Sequence, residues 1–242
     1  MSALSVVIPV YNEGEAVRSS LDRVLEAIGP DSEVIVVYDM VEDTTRPVLE
    51  EYAARDKRVR PSLNTIGRGP ANAIRFGLEA ATTPVAIVTM ADDSDDAGQM
   101  QELAQLVRNG AAVAAASRYM KGGRQIGGPF VKRTLSRLAG LSLFHLARVG
   151  THDATNSFKA YSTEFVRQVG VESDRGFEIG IELTAKARRA RLPIVEIPTS
   201  WKDRPFGESN FKTAKWIPYY LRWWLHAFGR ARLVPQLTGE ES

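Results

Sequence analysis

Residues 85–97 read VAIVTMADDSDDA. The stretch begins as a short apolar run, Val85–Val88, bounded by Pro84, with the length and composition of a buried strand. It then breaks into four carboxylates within five residues, Asp92, Asp93, Asp95 and Asp96. Like charges this close repel, so the cluster is costly unless it is solvated or bound to a cation. Asp93-Ser94-Asp95 sets an Asp-x-Asp at the strand end, the edge where parallel α/β sheets carry their ligand crevices. Hard carboxylate oxygens suit Mg²⁺ or Mn²⁺ shared with a phosphate group. An acidic, solvated loop capping the next helix fits the same spacing. On this stretch alone the two readings stand level.

The residues before it repeat one pattern. Leu4–Val10 is an apolar strand, after which Asn12 and Glu15 have the spacing of a helix cap and its partner. Ala16–Ile28 carries Val17, Leu21, Val24, Leu25 and Ile28 at helical spacing, and Gly29-Pro30 stops it. Glu33–Tyr38 is a second strand ending in Asp39, followed by a helix to about Arg55 and a short strand over Val59–Ser62. Asn64–Pro70 is a turn bearing Gly67 and Gly69 that opens a helix through Ala80. A helix N-terminus of this kind offers unpaired amides to a phosphate, and a tight turn needing positive φ explains the glycines as well. After the acidic stretch come a helix over Ala97–Asn109 and a strand over Ala112–Ala116. Alternating strands and helices imply an α/β fold with a mainly parallel sheet flanked by helices. Strand after strand ends in polar residues (Asn12 and Glu13, Asp39, Asp92–Asp96, Arg118), and in a parallel sheet these ends share one edge. That coincidence moves the acidic loop toward metal and phosphate.

Composition narrows the field. The chain has 242 residues, 44% hydrophobic and 25% charged, enough for one sizeable soluble core. It has no cysteine, which excludes disulfides and thiolate metal sites. Ser5–Val10 runs straight into polar residues with no basic segment ahead of it, and no apolar run reaches membrane-spanning length. A cytoplasmic location is expected, with peripheral contact to the cytoplasmic face of a membrane. Net charge is +2, but from Leu103 to His152 there is no acidic residue at all. That interval holds Arg108, Arg118, Lys121, Arg124, Lys132, Arg133, Arg137 and Arg148 and favours an anionic partner. No helix-turn-helix, zinc-finger or RNP pattern accompanies it, so nucleic acid is not expected.

The second half is less regular. Pro129–Val149 reads as a basic helix, Asp153–Tyr161 as a turn entering a short strand, and Phe177–Ala190 as a helix with Glu178, Glu182 and Lys186 at i, i+4 and i+8. Lys186 is expected in a solvated ion ladder. Pro193–Pro198 is a strand and Trp201–Ser209 a loop. Lys212–Phe228 interleaves Trp216, Tyr219, Tyr220, Trp223, Trp224 and Phe228 with basic residues. That composition suits a bilayer interface, and equally a helix packed on the core.

Taken together, Val6–Glu13 (VVIPVYNE), Val36–Thr45, Asn64–Leu78, the Asp93-Ser94-Asp95 loop, Ser117–Gly123 (SRYMKGG), Asp153–Lys159 and Glu196–Ser209 resemble family 2 glycosyltransferases, and among them the dolichol- and polyprenyl-phosphate mannosyl and glucosyl synthases. The resemblance covers nearly the whole length. It implies a GT-A fold in one domain over 1–242, with a nucleotide-sugar half (1–117), an acceptor half (118–211) and a C-terminal helix and tail (212–242). It implies a metal-dependent, inverting sugar transfer from a nucleotide-diphosphate sugar. Pro9, Tyr11, Glu13, Asp39, Gly67, Arg68 and Asp92 would then border the nucleotide. Asp93 and Asp95 would hold Mg²⁺ or Mn²⁺ on the diphosphate, and Arg118, Arg124, Arg133 and Arg204 would face the phosphate of a polyprenyl or dolichyl acceptor. The chain departs from the family pattern at Tyr38-Asp39, where one acid stands for two, at Ala91–Asp95, and at Asn156-Ser157-Phe158. The register of the metal ligands among Asp92, Asp93, Asp95 and Asp96 stays open. Transfer to a saccharide or small-molecule hydroxyl, with Glu178, Glu182 or Asp153 as base, is the alternative, and a non-catalytic binding protein is a further one.

Overall fold

The structure is a computed structural model that describes residues 3–203 and 213–230. Through the first half, strand and helix alternate: β1 (Ser5–Val10), α1 (Val17–Ala27), β2 (Glu33–Tyr38), α2 (Arg46–Arg55), β3 (Val59–Leu63), α3 (Pro70–Ala80), β4 (Val85–Val88), α4 (Met100–Arg108) and β5 (Val113–Ser117). There follow β6 (Arg124–Ile126), α5 (Phe130–Ser142), which continues as a π-helical turn over Leu143–Ala147, β7 (Lys159–Ser162), α6 (Thr163–Val169), α7 (Ile179–Arg189), β8 (Ile194–Pro198), β9 (Ser200–Lys202) and α8 (Thr213–Ala227).

Seven strands form one sheet in the order β3-β2-β1-β4-β7-β5-β8, and β6 pairs with β9 in a separate ribbon. The near-continuous apolar runs of β1, β2, β4 and β5 suit strands covered on both faces. Alternate side chains feed two core layers. Val6, Ile8, Val34, Val36 and Ile87 pack with α1 and α4, whereas Val7, Ile35, Val37, Ala86 and Val88 pack with α3, α6 and α7. Gly77 lets α3 lie directly on β1, since a Cβ there would collide with Val7 Cγ1.

The parallel order brings the C-terminal ends of β1, β2, β4 and β5 to one edge, as their polar ends imply. β7 is antiparallel to both neighbours, Ala86 facing Tyr161 on one side and Ala114 facing Ala160 on the other. Its N-terminal end therefore opens on that same edge and delivers the Asp153–Phe158 turn there.

Three local expectations are corrected. Asn12 does not cap α1. It sits at φ 53°, and its Oδ1 accepts from Thr44 N at 3.1 Å, which ties the loop after β1 to the loop after β2. Glu15 instead pairs with Arg18. Lys186 is not in a solvated ladder. It is 8% exposed and pairs with Glu182 at 2.6 Å and Glu172 at 3.0 Å, because α8 covers this face of α7 and places the Trp223 ring 5.2 Å from its Nζ. Ser200–Lys202, at the start of the expected loop, is a strand held by β6. From Arg204 onward that loop lies outside the described residues.

Candidate active site

The four carboxylates after β4 divide among three tasks. Asp96 caps the following turn, its Oδ1 accepting from Gly98 N at 3.0 Å. Asp93 adopts φ 56° and turns back toward α1, where its Oδ1 accepts from Ser20 Oγ at 2.7 Å and lies 3.1 Å from Arg23 Nη1. Burial alone would raise the Asp93 carboxyl, but hydrogen bonds from Ser19, Ser20 and Arg23 and the Arg23 charge hold it below its ordinary value. Asp92 and Asp95, with Ser94 between them, face a cleft. Arg23 grips the loop from behind, donating to the carbonyls of Asp93 (3.2 Å) and Asp95 (2.9 Å). Nothing in the sequence pattern singles out Arg23, because its partners lie some 70 residues away.

Asp95 is buried, and its Oδ2 accepts from Thr89 Oγ1 at 2.8 Å and Met90 N at 3.3 Å. Burial, and then the neighbouring Asp92 charge, push its carboxyl up to about 6. In the same loop the buried Ser94 Oγ has no hydrogen-bond partner among the described residues. Two carboxylates that line one cleft, with a serine hydroxyl oxygen in the same loop, form a hard-oxygen donor set that fits a small divalent cation.

Asp39 organises the neighbouring loop. Its Oδ1 accepts from Asn64 Nδ2 at 2.8 Å and its Oδ2 from Gly69 N at 2.7 Å, while Asn64 Nδ2 also reaches the Gly67 carbonyl. Gly69 stands at φ 112° immediately before α3, a conformation that a side chain would strain. Pro9, Tyr11, Glu13, Asp39 and Arg68 all line the cleft, whereas Gly67 supports it from behind. Asp43 was not singled out from the sequence. It is 2% exposed and accepts from Asn12 N and Thr45 N, so it fixes the shape of the loop that carries Tyr11 and Glu13.

Arg118 also lines the cleft, with its side chain 10% exposed. Its Nε and Nη2 grip the fully buried Asp153 at 2.7 and 2.9 Å. Burial would push the Asp153 carboxyl up, but the Arg118 guanidinium outweighs it and holds the group below its ordinary value. Behind the pair lies Lys159, fully buried on β7, donating to the carbonyls of Ala154 (3.2 Å) and Asn156. Burial lowers the Lys159 ammonium to about 7 against the pull of Asp153. Its folded value is below its unfolded one, so the unfolded chain binds a proton that the folded chain gives up above about 7. Stability should therefore rise with pH from near neutrality toward the ordinary lysine range, by up to about 1.4 kcal/mol per pH unit. Urea titrations of the parent and Lys159→Met over that range should show this slope in the parent alone; equal slopes in both would refute it.

The cleft has a volume of about 1090 Å³. The strand ends contribute Asp39, Asp92, Asp95 and Arg118 to its lining, and the helices contribute Leu135 and Leu138 of α5 and Ile217, Leu221 and Trp224 of α8. Arg133 lines it too, 5.6 Å above the Phe130 ring. Arg124 is exposed and does not line it; the alternation of β6 presents Gln125 there instead. None of Asp153, Glu178 and Glu182 lines the cleft. Glu178 accepts from the Arg175 and Gly176 amides, and Glu182 from the Glu172 and Ser173 amides. Groups of three or more acidic, His or Cys residues able to hold a metal do not occur among the described residues, so a cation on Asp92 and Asp95 would take its other ligands from outside that set.

A mainly parallel sheet whose strand ends converge on an acidic loop and a nucleotide-sized cleft defines the GT-A fold. Solved structures agree. Glucosyl-3-phosphoglycerate synthase from Mycobacterium tuberculosis superposes with a TM-score of 0.69 at 16% identity, covering 95% of this chain and 81% of that one. A mannosyltransferase from Pyrobaculum calidifontis, in complex with GDP-Man and Mn²⁺, gives 0.63 at 18% identity, covering 95% and 65%. Residues 5–170 match Glycosyl transferase family 2, and the chain belongs to that family; it is a glycosyltransferase. Among curated relatives, polyprenol monophosphomannose synthase of Mycolicibacterium smegmatis is 30% identical over 227 residues, 87% of this chain and 85% of that protein. Dolichol-phosphate mannosyltransferase of Pyrococcus furiosus is 31% identical over 223 residues, 90% of this chain and 62% of that one.

Proposed function

We propose that the protein transfers a sugar from a nucleoside-diphosphate sugar to the phosphate of a polyprenyl acceptor, with inversion and with a divalent cation. The observation that carries this is the mixed lining of one cleft, in which carboxylates and a buried arginine from the strand ends are joined by apolar side chains from α5 and α8. A polyprenyl phosphate has that combination of chemistry, and the relatives from M. smegmatis and P. furiosus bear names of that activity.

Pro9, Tyr11, Glu13, Asp39 and Arg68 border the nucleotide, with Gly67 shaping the turn behind them. Asp92 and Asp95 are the carboxylates placed to hold Mg²⁺ or Mn²⁺, with Ser94 Oγ beside them. Asp93, engaged by Ser20 and Arg23, fixes the loop. When bound, the cation offsets charge on the departing diphosphate. The acceptor phosphate, already carrying about −1.5 to −2 charge at pH 7, attacks the anomeric carbon without a protein base. The bond from that carbon to the diphosphate oxygen breaks as the bond to the acceptor oxygen forms, and the nucleoside diphosphate leaves. Arg118, held rigid by Asp153, and Arg133 orient the acceptor and offset its repulsion from the donor. Arg204 keeps its proposed place in this set from sequence alone.

A hydroxyl acceptor would need a base aimed into the cleft, and Asp153, Glu178 and Glu182 are engaged elsewhere. The test is a transfer assay with UDP-, GDP- and dTDP-sugars, Mn²⁺ present or chelated, offering polyprenyl phosphate and soluble saccharides in parallel. Metal-dependent product on the lipid phosphate is expected. Product on a saccharide and none on the lipid would overturn the acceptor assignment.

A further inference from the structure

We propose that a second cavity, separate from the cleft, seats the phosphate headgroup of an anionic phospholipid and so orients the protein on a bilayer. The inference builds on the lipid acceptor proposed above but has its own observations. The cavity, of about 410 Å³, is lined by Arg148, Arg188, Arg191, Arg230, Phe228 and Gly229. Four guanidiniums meet there without a carboxylate in the lining. Arg188 is fixed in place, its Nε donating to Ala147 O and its Nη1 to Gly229 O, both at 2.8 Å. Arg148 and Arg191 are exposed, and their side chains make no hydrogen bond or ion pair among the described residues. Like charges gathered this way call for an anion.

The backbone points to the same conclusion. Arg148 (φ 56°) and Arg191 (φ 59°) each stand just beyond the end of a helical segment in the left-handed conformation, where Gly or Asn is usual. A cation at a helix C-terminus complements the helix dipole, which accounts for one arginine at each end. It does not account for three helical ends, those of the π-turn, α7 and α8, meeting around one concavity.

What lies beside the cavity identifies the anion's carrier. α8 walls the cleft with Ile217 and Leu221 and reaches Phe228 about 16 Å further along its axis from Ile217. The α5 segment walls the cleft with Leu135 and Leu138 and ends at Arg148. These segments turn Leu146 (69% exposed) and Leu225 (57%) to solvent short of the cavity, and Phe228 (39%) at its lining. Exposed apolar side chains on the segments that carry these arginines fit a bilayer interface, the apolar groups entering the headgroup boundary while the guanidiniums take the phosphates. A free anion would satisfy the arginines but leave these apolar side chains uncovered.

The test is co-sedimentation of the full chain with vesicles of phosphatidylcholine alone or with phosphatidylglycerol added. The parent should bind the phosphatidylglycerol vesicles in a salt-sensitive way. R148Q/R191Q should bind them roughly 30-fold more weakly, R148K/R191K should recover most of the loss, and R55Q/R75Q, with the same charge change on α2 and α3, should stay within about twofold of the parent. Unchanged binding by R148Q/R191Q, or an equal loss in R55Q/R75Q, would overturn the proposal. So would inorganic phosphate raising the thermal midpoint of the parent while phosphatidylglycerol vesicles fail to bind it. Transfer to polyprenyl phosphate in detergent should be unaffected in R148Q/R191Q. Absence of that transfer in the parent would remove the acceptor assignment and leave the vesicle result to judge the cavity.

Discussion

Asp95→Asn is expected to lower sugar transfer by roughly 10³-fold while leaving the fold as stable as the parent or slightly more so. The two effects part because the Asp95 carboxyl is held in a buried place beside Asp92, which pushes it up to about 6. Neutralising it relieves that repulsion, and an amide oxygen can still accept from Thr89. What is lost is the hard anionic oxygen proposed to hold the cation. Asp93→Asn supplies the contrast, removing a part-exposed pairing with Arg23 and Ser20 outside the cleft. It should keep activity within about tenfold, since an exposed pair of this kind contributes under about 1 kcal/mol. Transfer rates, thermal midpoints and Mn²⁺ titration with nucleotide sugar would check both variants. An inactive Asp93→Asn beside an active Asp95→Asn would place the metal on the other side of the loop.

The largest stability loss should come from Asp153→Ala. It strands the Arg118 guanidinium in a buried site and removes the anion facing Lys159, and breaking a buried pair in this way costs about 3–5 kcal/mol. Urea unfolding at neutral pH should read it as a fall in midpoint. Arg118→Met should destabilise as well, while the Asp153→Ala/Arg118→Met double variant should recover part of the stability and none of the activity, since it strands no guanidinium but takes Arg118 away from the acceptor phosphate. The Asp153 carboxyl lies below its ordinary value when folded, so the stability it contributes is present above the ordinary carboxylate range and is lost as pH falls through the folded value. Additive losses in the double variant would show that the pair is not a unit.

The parallel framework was legible because β1, β2, β4 and β5 are apolar runs separated by helical periodicity, and a sheet buried on both faces leaves that mark. β7 left none. KAYS is four residues long and owes its place to pairing with Val88 on one side and Ala115 on the other, contacts that no local pattern encodes. The acidic loop was legible as a cluster and illegible as a set of directions. The left-handed turn at Asp93 decides which carboxylates face the cleft, and spacing does not report the sign of φ. Arg118 was found as a basic residue at a strand end, but its partner lies 35 residues later. Lys186 was misread because an i, i+4 ladder looks the same in sequence whether water or α8 covers it.

The antiparallel strand at the centre of the sheet also limits how the molecule can move. β7 is bonded to β4 along one side and to β5 along the other, so the strand that leads into the acidic loop and the strand that leads into Arg118 belong to one unbroken ladder. A hinge between them would have to break backbone hydrogen bonds in the core. Closure by two bodies swinging together is thus denied to this fold, and any gating of the reaction falls to segments outside the sheet. Ligands enter a slot whose floor is already set.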